Sequence, residues 1–357
     1  MKIGFLIYGS LDILSGGYLY DRRLIKGLEA LGEEVKLISL PWRNYPAHLA
    51  DNLHFRFHDN WDILIQDELC HPSLIMANSQ RRDFPIVSLV HHLRSSEKHP
   101  LFLNRLYRKV EKSYLGSVDA FIFNSNTTRQ VVEGNLKRQK PFIVGYPPTD
   151  RFSPTIDLEH ISLRAKRDGP LQVIFLGNVI PRKGLETLLG AMEISTSDIN
   201  VNVVGSLDFD KTYANQMQSL VKRSNLNSKV QFHGALRDSS LKAMMQESQL
   251  LVLPSTYEGF GIVYLEGMSF GLPAIGTTSG AASEIIDDSV TGFLIPAGDF
   301  AALAEKMDFL SKDRAYLAEM SMNALRRFQR QPGWSGTVLQ IRDFLSSEVI
   351  RFRSSRS

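Results

Sequence analysis

Residues 250–273 read LLVLPSTYEGFGIVYLEGMSFGLP. The apolar run from Leu250 to Pro254 predicts a buried strand. A loop with Gly259 and Gly261 follows, and a helix is expected to start near Gly261. Glycine allows positive φ and close approach of the backbone to a ligand. The unpaired N–H groups of a helix's first turn then offer a site for an anion. Glu258 stands in the loop and Glu266 about five residues into the helix. The two carboxylates therefore meet different parts of a ligand.

The same strand–loop–helix rhythm runs outward in both directions. Short apolar runs at 2–7, 35–39, 63–65, 86–90 and 120–123 alternate with helical spacings, the first over Tyr18–Leu31 with Gly32 at its end. Residues 142–154 break the rhythm, because Pro147 and Pro148 cannot continue a helix. It restarts with strands at 171–176, 200–204, 230–233 and 250–254. Continuous apolar strands separated by helices predict buried parallel sheets. The expected organisation is two α/β domains, residues 1–155 and 170–333, with a helix over about 334–350 crossing back to the first.

A chain of 357 residues has room for two such cores, and 43% hydrophobic with 22% charged residues is ordinary globular usage. The single cysteine, Cys70, excludes an internal disulfide framework and a cysteine-based zinc site. No run reaches the length of a membrane span, and Met1–Ser10 reads as a first strand rather than a signal peptide. A cytoplasmic location is expected. The net charge of +3 does not call for nucleic acid. It is unevenly spread, with twelve Lys/Arg against five acids between Arg81 and Lys140, and 18 against 19 beyond residue 168.

Three further segments follow strands. Gly177-Asn178-Val179-Ile180-Pro181-Arg182-Lys183-Gly184 opens a helix but is not a Walker loop, because no Ser or Thr follows the lysine. His91 and His92 end an apolar strand, without the carboxylate or cysteine spacing that would argue for metal. Ser15-Gly16-Gly17 follows the first strand.

Together these segments resemble the retaining, nucleotide-sugar-dependent glycosyltransferases of the GT-B fold, above all glycosyltransferase family four (glycosyl transferases group 1). The resemblance implies two Rossmann-like, doubly wound domains facing across a cleft, the first for acceptor and the second for donor. It is dense over 171–300 and thinner before 150. The family's two glutamates lie eight residues apart, as Glu258 and Glu266 do. The resemblance assigns Glu258 to the donor sugar's hydroxyls and Glu266 to the ribose. Phe260, Gly261 and Ile262 would turn their amides to the phosphate and sugar. Lys183 matches the family's diphosphate-binding lysine. Asn178 stands where the family usually has arginine, and Arg182 is the residue that could supply the missing guanidinium. His91, ahead of His92, would lie beside the sugar, and Gly16 and Gly17 near the donor phosphate. The Asn124-Ser125 pair, Gly280, Glu284 and Thr291–Leu294 also match family blocks, read here as mostly structural.

The implied reaction transfers a sugar from a nucleoside diphosphate sugar, with uridine placed ahead of guanosine, to a glycan or lipid-linked acceptor. No cofactor and no metal are expected. A nucleotide-sugar epimerase and a non-catalytic sugar-nucleotide or glycan-binding scaffold are the rivals. Residues 101–115 add a basic amphipathic helix. Leu103, Leu106, Tyr107, Val110 and Tyr114 share about 100° of arc, opposite Arg105, Arg108, Lys109 and Lys112. It predicts a core-facing helix with a solvated basic face, or peripheral contact with anionic lipid on the inner membrane face.

Overall fold

The computed structural model describes residues 1–13, 15–57, 60–148, 151–152 and 156–356. Their contacts divide into two units, Met1–Pro148 with Pro332–Ser357, and Thr149–Gln331.

The first unit runs β1 (Lys2–Tyr8), α1 (Gly16–Ala30), β2 (Glu34–Leu40), α2 (Tyr45–Asp51), β3 (Ile63–Asp67), α3 (His71–Asn78), β4 (Ile86–Val90), α4 (Leu101–Ser117), β5 (Ala120–Phe123), α5 (Asn126–Glu133) and β6 (Phe142–Val144). Its strands are all parallel, in the order β2-β1-β3-β4-β5-β6. Every residue of β3, β4 and β5 is buried, which is why they read as unbroken runs and not as alternating patterns.

The second unit runs α6 (Leu158–Lys166), β7 (Leu171–Leu176), α7 (Leu185–Ile194), β8 (Ile199–Val204), α8 (Lys211–Arg223), β9 (Val230–Gly234), α9 (Asp238–Glu247), β10 (Leu250–Val252), α10 (Ile262–Ser269), β11 (Ala274–Thr277), β12 (Gly292–Ile295), α11 (Phe300–Lys312) and α12 (Arg314–Gln329). Its parallel sheet has the order β12-β11-β10-β7-β8-β9. The chain order therefore reverses between β7 and β10. In the first unit it reverses between β1 and β3. Ligands of doubly wound sheets bind outside the strands' carboxyl ends at such reversals.

The final helix, α13 (Trp334–Ser354), belongs to the first unit. Trp334, Val338, Ile341, Leu345 and Val349 join Leu24, Ile25 and Leu28 of α1 in one core. Gly27 lets the two helices meet closely, since a Cβ there would stand 2.5 Å from Val338 Cγ2. Gly27→Ala is expected to overpack this contact at a cost of about 1–3 kcal/mol, offset by about 1 kcal/mol of helix propensity. A lowered urea midpoint checks it; an unchanged or raised midpoint contradicts the packing.

Several boundaries differ from the sequence expectation. The first unit's leading stretch ends at Pro148, before residue 155, and residues 156–169 are no joint but part of the second unit. There α6 packs on α12, and Arg164 donates to the carbonyls of Phe270 (2.8 Å) and Gly271 (3.0 Å). Gly16 and Gly17 form the first turn of α1 rather than a loop, because the Ser15 hydroxyl caps it by accepting from Tyr18 N. β10 stops at Val252, short of Pro254. In α4, Leu103 is only half-buried and Leu106 is exposed, while Glu111 is buried with Tyr107, Val110 and Tyr114.

Candidate active site

In the second unit, the loops after β7 and β10 leave the two strands that flank the order reversal. They are joined backbone to backbone, with Thr256 N donating to Arg182 O at 2.8 Å. Gly184 takes φ +71° where a Cβ would lie 2.1 Å from Pro254 O, so only glycine allows the loops this close. Gly261, at φ +92°, begins α10 as its N-cap. The loop after β11 closes the arrangement from behind, with Ala281 N donating to Glu258 O at 2.8 Å.

Glu258 is buried at the centre of these loops. Lys183 Nζ and Ser255 Oγ both donate to its Oε1 at 2.6 Å. Arg182 Nη1 lies 3.7 Å from the same oxygen and donates to Tyr257 O at 3.0 Å. Burial disfavours the charged carboxylate, but Lys183 and Arg182 outweigh it and hold Glu258 down at about 2. A carboxylate held so firmly ionised is a poor proton acceptor. It is suited to gripping hydroxyl groups. Asn178 Oδ1 accepts from Ser206 N at 3.2 Å. Arg182 is thus the guanidinium that stands beside Lys183.

Glu266 is buried on α10 and bonded to Arg151, whose Nη1 lies 3.0 Å from Oε1. Arg151 Nη2 also reaches Asp238 Oδ1 at 2.6 Å. Burial raises the Glu266 carboxyl, and Arg151 opposes the rise. Phe260 is buried at the turn into α10, with Ile262 the helix's first residue.

In the first unit, His91 directly follows β4 and its Nε2 lies 3.0 Å from Asp21 Oδ1 of α1. Gly17 packs against the imidazole, where a Cβ would meet His91 Cδ2 at 3.2 Å. Asn124 Nδ2 donates to His91 O at 2.9 Å, which gives Asn124 a role in holding the histidine, while Ser125 caps α5. Burial alone would lower the imidazole, yet Asp21, Asp67 and Glu68 raise it to about 9. Burial and the Asp21 charge push the Asp67 carboxyl well above the usual carboxylate range. His92 is bonded instead to Glu97 at 3.0 Å.

Carboxylates do stand near His91, since ligand atoms of Asp21, Asp67 and His91 all lie within 4.8 Å of one another. They come from α1 and β3, so no spacing in the chain shows them. The buried Oδ2 atoms of Asp21 and Asp67 have no hydrogen-bond partner among the described residues. The donor set is of a kind that suits a divalent cation.

Asp21, Asp67, Ser255 and Arg151 were all missed by sequence reasoning. Asp21 alone carried a signal, since it shares the helical face of Tyr18, Leu24, Ile25 and Leu28, all buried.

Residues 159–327 match the family model described as glycosyl transferases group 1. The chain is 32% identical to the phosphatidyl-myo-inositol mannosyltransferase of Mycobacterium leprae, over 96% of this chain and 95% of that protein. The chain belongs to the glycosyl transferases group 1 family. Other relatives in this family match over less. An uncharacterized glycosyltransferase of Methanocaldococcus jannaschii is 28% identical over 47% of this chain, so the match spans about half, 46%, of that relative's length. The D-rhamnosyltransferase WbpZ of Pseudomonas aeruginosa is 27% identical over 69% of this chain and 67% of that protein. Among solved structures, sucrose-phosphate synthase of Thermosynechococcus elongatus superposes with a TM-score of 0.80 at 21% identity, covering 99% of both chains. Anabaena HepE, solved with UDP and glucose, gives 0.75 at 19% identity over 97% of this chain and 100% of that one. These likenesses show the shared α/β fold of two Rossmann-like units, the GT-B class expected for group 1 glycosyltransferases.

Proposed function

We propose that the chain is a retaining glycosyltransferase that moves a sugar from a nucleoside diphosphate sugar to a hydroxyl of a glycan or lipid-linked acceptor. The Lys183–Glu258 contact at the order reversal of the second sheet carries this proposal. In the reaction the acceptor oxygen bonds to the anomeric carbon. The bond from that carbon to the diphosphate breaks, and its electron pair leaves with the phosphate oxygen. The acceptor proton leaves with the diphosphate. Lys183 and Arg182 stabilise the charge that develops there. The first-turn amides of α10 face the same charge. Glu258 grips the sugar hydroxyls, and Glu266 exchanges its bond to Arg151 for the ribose. His91, held charged by Asp21, is assigned to the sugar. The solved complexes of HepE with UDP and with UDP-glucose favour uridine in the donor.

Two lysine- and arginine-borne charges at the diphosphate replace a metal in this scheme. Diphosphate release is therefore expected to survive excess EDTA in an assay with a panel of UDP- and GDP-sugars. Loss of release on chelation, restored by a divalent cation, contradicts it.

Peripheral membrane contact is a second part of the proposal. No described helix is long and apolar enough to cross a membrane. At the start of α4, Leu101 is 82% and Phe102 76% exposed, beside the exposed Arg105, Arg108, Lys109 and Lys112. Apolar tips flanked by basic residues bind anionic bilayers. Co-sedimentation with vesicles rich in phosphatidylglycerol is expected at low salt, falling several-fold at high salt and in Phe102→Ser. Equal binding to neutral vesicles contradicts it.

A further inference from the structure

Glu266, the residue assigned to the ribose, is already engaged by a cation. Its side chain is 2% exposed on α10, and Arg151 Nη1 lies 3.0 Å from its Oε1. Among the described residues no second side chain donates to this carboxylate. Burial pushes the carboxyl up, and the Arg151 charge pulls against the rise. An ionised carboxylate so placed needs a partner at all times.

Arg151 is the outer member of the pair, with 31% of its side chain exposed. Its other arm has a partner of a different kind. Nη2 lies 2.6 Å from Asp238 Oδ1, and the Asp238 side chain is 65% exposed at the start of α9. One carboxylate is therefore buried and the other wet, and a single guanidinium spans them.

The backbone beside Arg151 is pinned. Phe152 is buried and meets Phe270 edge-on, with ring centroids 5.6 Å apart. Phe270 stands four positions beyond Glu266, at the C-cap of α10, so both lie on one side of that helix. The guanidinium lies 4.8 Å over the Phe152 ring. With its main chain held there, Arg151 can leave Glu266 by turning about its own side-chain bonds while Asp238 stays within reach.

A ribose offers two neighbouring hydroxyls, which suit the two oxygens of one carboxylate. Arg151 holds one of those oxygens. Its bond joins two charges and is of the stronger kind, whereas a hydroxyl brings no charge of its own. The gain from seating the ribose is thus offset by the ion pair that opens.

We propose that Arg151 is a latch on the nucleotide site: it occupies Glu266 while the site is empty, swings onto Asp238 when the ribose arrives, and by returning helps to expel the spent nucleoside diphosphate. The proposal rests on the glycosyltransferase assignment and deepens it by naming what regulates occupancy of the same site.

The test is calorimetric titration of the full chain with UDP and GDP, each beside its 2′,3′-dideoxy counterpart, which has no hydroxyl for Glu266. The readout is the ratio of ribonucleotide to dideoxynucleotide affinity. A general loss of positive charge near the diphosphate cancels in that ratio. Arg151→Met keeps the length of the side chain and removes its donors. Freed of its competitor, Glu266 is expected to raise the ratio about ten-fold, the worth of a hydrogen bond to a charged group. Asp238→Asn, at an exposed side chain, takes away the place to which the latch withdraws, and should lower the ratio several-fold. It tests the latch even if Arg151→Met does not fold. An unchanged or lowered ratio in Arg151→Met, or an unchanged or raised one in Asp238→Asn, overturns the proposal. Nucleotide binding with such a ratio defeats the latch alone; failure of the wild type to bind either nucleotide defeats the transferase assignment and the latch with it.

Discussion

Lys183→Ala is expected to lower kcat/KM for the donor by about a hundred- to a thousand-fold, the loss typical of removing one preorganised donor from a developing negative charge. Lys183 Nζ is the closest cation to Glu258, at 2.6 Å, and it is held there by a loop that also bonds Thr256. The substitution removes the charge that stabilises the leaving diphosphate and leaves a buried carboxylate with less compensation. Both consequences have readouts. Steady-state kinetics with the natural donor report the first, and Lys183→Arg should recover part of the rate. The second appears in acid. Glu258 lies below its ordinary value of 4.5, at about 2. Its contribution to stability is therefore present above pH 4.5 and lost as pH falls toward 2. In Lys183→Ala that contribution shrinks, so acid unfolding should begin at higher pH. Wild-type kinetics in the alanine variant would remove Lys183 from the mechanism.

Asp21→Asn is expected to cost about 3–5 kcal/mol of stability in the first unit, the usual result of breaking a buried ion pair by removing one partner. Asp21 is fully buried, and His91 Nε2 lies 3.0 Å from it. Against the opposing effect of burial, Asp21 is the foremost of the charges that raise His91 from 6.5 to about 9. A group raised on folding gives stability that is fully present below its unfolded value and lost as pH rises through its folded value. Wild-type stability should therefore fall between pH 6.5 and 9, and Asp21→Asn should flatten that slope. Urea unfolding at pH 6, 8 and 9.5 measures both. The same variant should move the alkaline limb of the transfer rate toward neutral pH, which a merely structural aspartate would not do. An unchanged slope in the variant would show that the pair carries no charge.

The strands were legible because buried parallel strands are plain apolar runs. Ile86–Val90, Ala120–Phe123 and Leu171–Leu176 begin and end where the chain's hydrophobicity does. Once the strands stood, the loops after them marked where to look, and the resemblance to the family's motifs picked out Glu258, Lys183 and His91 within them. What the chain does not spell out is which distant residue meets which. Arg151 reaches Glu266 across 115 positions, and His91 reaches Asp21 across 70. Only the closed sheet sets those contacts. β6, β11 and β12 escaped notice: β6 is three residues at a sheet edge, with Phe142 38% exposed, and β11 and β12 are only four residues each. Leu103 and Leu106 have the periodicity of a core face, but the start of α4 runs past the layer it packs on, so the pattern outlasts the burial.

The most direct test of sugar transfer with retention is NMR of the product. The full chain is incubated with UDP- and GDP-sugars of known anomeric configuration and an acceptor glycan. The anomeric proton coupling of the new linkage is then read alongside diphosphate release. The account predicts stoichiometric diphosphate release and a linkage of the same configuration as the donor, with both lost in Glu258→Ala. An inverted linkage contradicts retention. An epimerised donor without transfer, or donor binding without diphosphate release, contradicts the transferase itself.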